Sequence, residues 1–139
     1  MKKIFFALLL LYSSICAHAQ QQILGKWYSQ DKKGITEIYA EKGKYYGKVV
    51  WLKEPNDKNG HPLTDSENPD KSKRSEPLIN LVILKDFNYR DNQWKEGTVY
   101  DPTEGKRYKC MMWLKDNNTL MLRGYWGIFH QTETWTRAQ

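Results

Sequence analysis

Hydrophobic and polar residues alternate with a period of two along most of this chain, which is the pattern of half-buried β-strands. No stretch shows the apolar spacing of an amphipathic helix. Turn residues rich in glycine, asparagine, aspartate and proline divide the chain into short runs. Seven runs are predicted strands: Ile23–Gln30, Ile35–Ala40, Tyr45–Lys53, Trp94–Asp101, Lys106–Lys115, Thr119–Trp126 and Phe129–Arg137. We assign Leu78–Phe87 as an eighth strand, although one helical turn followed by a strand also fits its apolar block.

The predicted fold class is all-β, a single antiparallel up-and-down barrel of eight strands. Neighbouring strands joined by short turns close readily into a barrel, because closure removes exposed strand edges. Eight strands enclose space for side chains or for one small ligand. The alternation does not tell which side faces inward, because Cys110 and Met112 mark one face of a strand as apolar while Met111 and Trp113 mark the other.

Residues 1–19 are predicted to be a signal peptide that is cleaved after Ala19, which leaves a barrel domain over residues 20–139. Lys2 and Lys3 precede an apolar run that is too short to span a bilayer, and Ala17-His18-Ala19 is a small-residue cleavage site. A buried N-terminal helix is the alternative, whereas lipid attachment at Cys16 is disfavoured by Ile15. We expect a periplasmic or secreted protein without a transmembrane segment.

The basic charge of the chain does not indicate nucleic-acid binding. The leader removes two of the 22 basic residues and none of the 16 acidic ones, so the net charge falls from +6 to +4. The remaining lysines are scattered, and the one dense run, Lys71–Arg74, follows Asp65, Glu67 and Asp70. We read this run as part of a solvated loop, with weak attraction to anionic lipid as the alternative. We expect a monomer that binds no nucleic acid.

The long segment Glu54–Pro77 is the one irregular part of the predicted barrel. It contains four of the five prolines and many charged residues. Loops of this length without regular structure are usually functional or disordered. The segment is therefore either a lid over the barrel mouth or a surface loop.

The chain lacks a recognisable catalytic or metal-binding set. His61, His130 and Cys110 show no zinc spacing, and there is neither a glycine-rich phosphate loop nor a serine elbow. Cys110 has no partner once Cys16 is removed, and its apolar strand predicts an inert buried thiol. We expect no enzymatic activity, no metal and no cofactor.

Aromatic residues are the positive signal, because the predicted mature chain holds all six tryptophans. Arg123 lies among apolar neighbours. We consider it an anchor for a ligand carboxylate or phosphate, a partner in an ion pair with Glu133 or Glu37, or an outward-facing cation. The residues predicted to bind ligand are Arg123, Tyr125, Tyr108, Trp113 and Tyr46.

Three residues are predicted to close one end of the barrel. Gly25-Lys26-Trp27 opens the first strand and Arg137 ends the last. An indole that plugs the floor beneath a guanidinium combines burial with a cation–π contact of about 1–2 kcal/mol. We assign Gly25, Trp27 and Arg137 to stability.

From Gly25 to Arg137 the chain resembles the bacterial DUF2147 family of exported proteins. Six segments carry the resemblance: Gly25–Trp27, Tyr46–Val50, Trp94–Pro102, Gly105–Tyr108, Leu122–Tyr125 and Thr134–Arg137. The resemblance implies a lipocalin-like barrel of the calycin type after a signal peptide, and it implies no catalytic residues. The loop Glu54–Pro77 lies outside these motifs.

Three functions remain open. The first is a periplasmic, non-enzymatic barrel that binds a small apolar or amphipathic ligand. The second is a module with a solid core that binds an envelope protein. The third is an enzyme whose site has an unrecognised form, for which titratable groups would have to converge in one pocket.

Overall fold

A computed structural model describes residues 18–139 of the chain. Residues 1–17, most of the predicted signal peptide and Cys16 with them, lie outside the described residues. The strands are β1 (Gly25–Tyr28), β2 (Gly34–Glu41), β3 (Lys44–Leu52), β4 (Val82–Arg90), β5 (Gln93–Asp101), β6 (Lys106–Asp116), β7 (Thr119–Trp126) and β8 (Phe129–Arg137). A 3₁₀ turn covers Lys71–Lys73. Within the described range, no helix has the length and apolar character needed to cross a membrane.

The eight strands form a closed barrel in which each strand pairs antiparallel with its neighbours in the sequence, and β1 pairs with β8. The predicted fold class is therefore confirmed. The predicted eighth strand is β4, which begins at Val82 rather than Leu78. The residues just before it form a turn, in which Asn80 has a left-handed backbone with φ of 72° and donates its N–H to the Val49 carbonyl.

The barrel has two different ends. We call the end with turns 29–33, 102–105 and 127–128 the mouth, and the end with turns 42–43, 91–92 and 117–118 the floor. The floor half is solid because large inward side chains fill it. These buried residues are Trp27, Ile38, Tyr45, Leu84, Phe87, Trp94, Met112 and Leu120.

Arg137 and Trp27 close the floor together. The Arg137 guanidinium lies 4.1 Å from the centre of the Trp27 ring, and the indole N–H donates to the Ile23 carbonyl at 2.8 Å. The guanidinium also donates to the carbonyl oxygens of Gln22 and Leu24, at 2.6 and 3.0 Å. Gly25 has φ of +119°, and a Cβ there would lie 3.2 Å from Arg137 Nη1. A side chain at position 25 would therefore strain the backbone and crowd the guanidinium.

The loop Glu54–Pro77 packs beside the mouth on the β5–β6 hairpin. Its Asp65 is fully buried and accepts a hydrogen bond at 2.7 Å from the Tyr100 hydroxyl. Thr64 forms a β-bridge with Pro77, and the carbonyl of Glu67 lies directly over Gly105. The centre of the loop is therefore a wall at the rim, fixed to the barrel by a buried carboxylate.

Candidate functional site

The mouth half of the barrel contains a cavity of about 860 Å³. Gly124 leaves a gap in the wall here. A Cβ on Gly124 would have only ordinary contacts, 3.9 Å from Val99 and 4.0 Å from Tyr108. The apolar lining is formed by Ile35, Val49, Leu52, Leu78, Ile83, Val99, Leu122, Trp126 and Trp135. A cavity of this size and lining is typical of small-molecule sites.

Glu133 places a carboxylate on the inner wall of β8. It pairs across the sheet with Leu122, which is buried, and cross-strand partners face the same side. One carboxylate oxygen, Oε2, accepts a hydrogen bond from the indole N–H of Trp135 at 2.9 Å. The buried indole therefore fixes the direction of the carboxylate.

Tyr108 is the second polar group of the wall, nearer the rim. Its hydroxyl donates to Oε2 of Glu104 at 2.5 Å. This hydrogen bond, more than burial, raises the pKa of Tyr108, because the carboxylate favours the neutral phenol. The cavity thus combines an apolar body with a few oriented polar groups.

Of the five predicted ligand-binding residues, Tyr108 lines the cavity and the other four lie on the outer face of the barrel. Arg123 pairs with Met111 and Thr132, and these three share the face opposite to Leu122 and Glu133. Its Nε donates to the Thr132 hydroxyl at 2.8 Å. The guanidinium lies over the ring of Trp113, 5.0 Å from its centre.

This placement corrects the expectation that Arg123 anchors a ligand in the cavity or pairs with Glu133. The alternation of apolar and polar residues in β7 did not show which face points inward, because apolar residues occur on both faces of this strand. Glu37, the other suggested partner, lies 3.9 Å from the Lys48 ammonium. The outward-facing interpretation is the one that the structure supports.

Tyr125 and Tyr46 are also displaced from the cavity. Tyr125 packs against His130 on the outer face, with ring centres 6.0 Å apart. Tyr46 stacks on Tyr39 and donates its hydroxyl to Asp86 at 3.1 Å. Both tyrosines therefore belong to the outer aromatic surface.

Glu133 and Gly124 are the site residues that the sequence reasoning missed. A usable signal was present for Glu133, because it stands two residues before Trp135 and therefore shares the face of that buried indole. Gly124 carried no such signal. An open space beside a glycine depends on what the neighbouring strands place around it.

The remaining chemically active side chains lie apart from one another. His61 is exposed, 3.6 Å from the Asp57 carboxylate, and His130 is exposed at the rim. Burial, followed by the charge of Glu133, raises the pKa of the Cys110 thiol. Among residues 18–139 there is no group of three or more histidine, cysteine, aspartate or glutamate side chains that could hold a metal ion.

A second recess of about 510 Å³ lies outside the barrel, between the long loop and β4. Asp65, Tyr100 and Arg107 line it, and the Arg107 guanidinium lies 5.2 Å from the centre of the Tyr100 ring. These side chains already have partners, because Tyr100 donates to Asp65 and Arg107 donates to Thr98. We therefore assign this recess to the packing of the loop.

Comparison with known proteins gives a family and a fold. The family model DUF2147, described as "Uncharacterized protein conserved in bacteria", matches residues 25–137. A solved structure described as "Protein HP1028 from the human pathogen Helicobacter pylori belongs to the lipocalin family" superposes with a TM-score of 0.73. The two chains are 22% identical, and the match covers 84% of this chain and 83% of the other. No curated protein matches the chain.

Proposed function

Because the chain belongs to the DUF2147 family and folds as a lipocalin-like barrel, we propose that it is a non-enzymatic protein that binds a small amphipathic molecule in the periplasm. The observation that carries the proposal is the cavity of about 860 Å³ above a packed floor. An unfilled mouth half has no benefit for a barrel with a purely structural role, because each packing contact that is missing there lowers the stability of the fold.

The lining defines the kind of ligand. Val49, Ile83, Val99 and Leu122 offer an apolar surface, and burial of an alkyl or aromatic body there contributes about 25 cal/mol per Å². Polar groups stand at Glu133 and at the rim. An amphipathic molecule would place its body among the aliphatic residues and its polar end at one of these groups.

The experiment is a comparison of Gly124→Leu with the wild-type protein and with Gly124→Ala. The leucine side chain would project into the cavity, whereas alanine adds one methyl group at ordinary contact distance. Native mass spectrometry of each protein, purified from its own periplasmic fraction, should detect a bound small molecule in the wild type and in Gly124→Ala. Gly124→Leu should remain folded and lose that molecule.

The same fractionation tests the location, since a cytoplasmic wild-type protein would contradict the periplasmic part of the proposal. A wild-type protein without any bound species, together with unchanged affinity of Gly124→Leu for apolar probes, would contradict the binding function.

An envelope-protein partner is the second candidate function, favoured by the turn between β7 and β8. Ile128 and Phe129 are 92% and 61% exposed at the tip of this turn, beside the half-exposed Trp126. Exposed apolar groups in a cluster often mark contact surfaces. Crosslinking from position 128 in intact cells should then capture one specific protein, and Ile128→Ser should abolish the product. Capture of lipid alone would exclude this candidate.

A further inference from the structure

Within the part of the chain that the structure describes, Glu133 is the one charged side chain of the inner wall that no neighbouring cation balances. Among residues 18–139 it forms no ion pair. Its Oε2 accepts from the Trp135 indole, and no described residue donates a hydrogen bond to its Oε1. Oε1 is accessible to solvent, and Glu133 lines the cavity. A fixed acceptor therefore faces the space that a ligand would occupy.

The other carboxylates of the lining have local roles at the rim. Asp31 accepts from Ser29 and from the N–H of Lys33. Asp101 accepts from Thr103, and Glu104 accepts from Tyr108. Each of these groups stabilises a turn or the rim itself, and Glu133 alone stands on the wall below it.

The charge of the whole lining has the same sign as Glu133. Four carboxylates line the cavity, against the two ammonium groups of Lys33 and Lys106. Both lysines are exposed at the mouth. A ligand that enters the cavity therefore meets an excess of negative charge, and it displaces water from the Glu133 carboxylate as it binds.

Loss of that water is unfavourable unless the ligand donates a hydrogen bond in return. A carboxylate or phosphate on the ligand would instead oppose Glu133, because like charges in an enclosed space repel. From this geometry we propose that the ligand is an amphipathic amine, whose protonated nitrogen donates to Glu133 while its apolar body lies against Val99 and Leu122. This inference rests on the proposed small-molecule function and specifies its ligand class.

The test uses three probes with the same alkyl chain and different heads: dodecylamine, dodecanol and dodecanoate. Their binding can be followed by the fluorescence of Trp126 and Trp135, which line the cavity. A charge-assisted hydrogen bond is about twice as strong as a neutral one, so dodecylamine should bind about tenfold more tightly than dodecanol. Dodecanoate should bind more weakly than both.

Glu133→Gln removes the charge and keeps an amide oxygen that can accept from the Trp135 indole. This variant should lose about tenfold in affinity for dodecylamine and keep its affinity for dodecanol. Glu37→Gln is the matched control, because it makes the same change on the outer face beside Lys48. It should leave all three affinities unchanged.

The outcomes separate this inference from the function beneath it. If wild-type protein binds dodecanol and dodecanoate as tightly as dodecylamine, the amine preference is refuted and the binding function stands. If Glu133→Gln weakens all three probes equally, Glu133 supports Trp135 and recognises no ligand. If none of the probes binds the wild type, both the ligand class and the cavity function are overturned.

Discussion

Replacing Arg137 by methionine should lower the free energy of unfolding by about 3 kcal/mol, whereas Arg123→Met should lower it by less than about 1 kcal/mol. The two arginines form a matched pair, since each stacks on a tryptophan. Arg137 lies 4.1 Å from the Trp27 ring at the floor, and Arg123 lies 5.0 Å from the Trp113 ring on the outer face. The two guanidinium groups differ more in the number of hydrogen bonds that they donate than in their distance from the tryptophan ring.

The larger value follows from the three carbonyl oxygens that accept from Arg137: those of Gln22, Leu24 and Asn117, at 2.6, 3.0 and 2.8 Å. Hydrogen bonds from a charged donor are worth about 1.5–3 kcal/mol each in favourable cases. The floor is close to solvent, and burial lowers the pKa of Arg137, which reflects the desolvation cost of its charge. We therefore count about 2 kcal/mol for the three bonds together and about 1 kcal/mol for the cation–π contact.

The smaller value reflects the half-buried setting of Arg123 on the outer face, where its guanidinium donates one hydrogen bond, to Thr132. Urea denaturation followed by tryptophan fluorescence measures both variants, with an unchanged slope as the sign that the unfolding transition is the same. Arg137→Lys should recover less than half of the loss, because an ammonium cannot reach three carbonyls as a planar fork does. Equal losses for Arg137→Met and Arg123→Met would refute the reasoning.

Three further outcomes can be checked in the same denaturation assay. Gly97→Ala should cost about 2 kcal/mol, since its Cβ would lie 2.4 Å from the Phe87 ring, while Gly124→Ala should be nearly neutral. Equal losses of stability for Gly97→Ala and Gly124→Ala would show that the Phe87 ring moves aside without cost. Tyr100→Phe should cost about 1–3 kcal/mol because Oδ1 of the buried Asp65 loses its donor, while Asn68 still donates to Oδ2. A neutral result would mean that water replaces the Tyr100 hydroxyl. Burial and, secondly, the Asp65 hydrogen bond raise the pKa of Tyr100 to about 12. Because this pKa is raised in the folded state, the neutral Tyr100 hydroxyl stabilises the fold below its ordinary pKa of about 10, and this stabilisation is lost as the pH rises to about 12. The difference in unfolding free energy between wild type and Tyr100→Phe should therefore close over that window. A stability difference that stays constant with pH would exclude the coupling between Tyr100 ionisation and folding.

The fold was predictable because strand periodicity and turn residues are local properties. Each predicted strand has a counterpart in the barrel, and the closing contact of Trp27 with Arg137 could be inferred from the two ends of the pattern. The position of the loop was not predictable in the same way. It depends on the pairing of Asp65 with Tyr100, and nothing in either local sequence indicates that the two meet.

The site was less predictable because it depends on which face of β7 and β8 points inward. Met121 and Leu122 are both apolar, so the pattern in β7 fits either orientation. In β8 the buried Trp135 shows which face points inward, and Glu133 shares that face. Glu133 pairs with Leu122 across the sheet, so the next residue of β7, Arg123, points outward. Of the three interpretations of Arg123, the anchor for an anionic ligand group is therefore the one that the proposed cation at Glu133 replaces.

The pairing of β1 with β8 also determines the order in which the barrel can form. Trp27 stands opposite Arg137, so the seam joins two nearly extreme parts of the chain, while every other strand pairs with its sequence neighbour. Hairpins with short connections form early, and contacts between distant residues form late because they require closure of a long loop. Until the seam closes, β1 and β8 each have an open edge that another chain could pair with. We therefore expect the seam and its floor contact to form last, and seam closure removes both open edges at once.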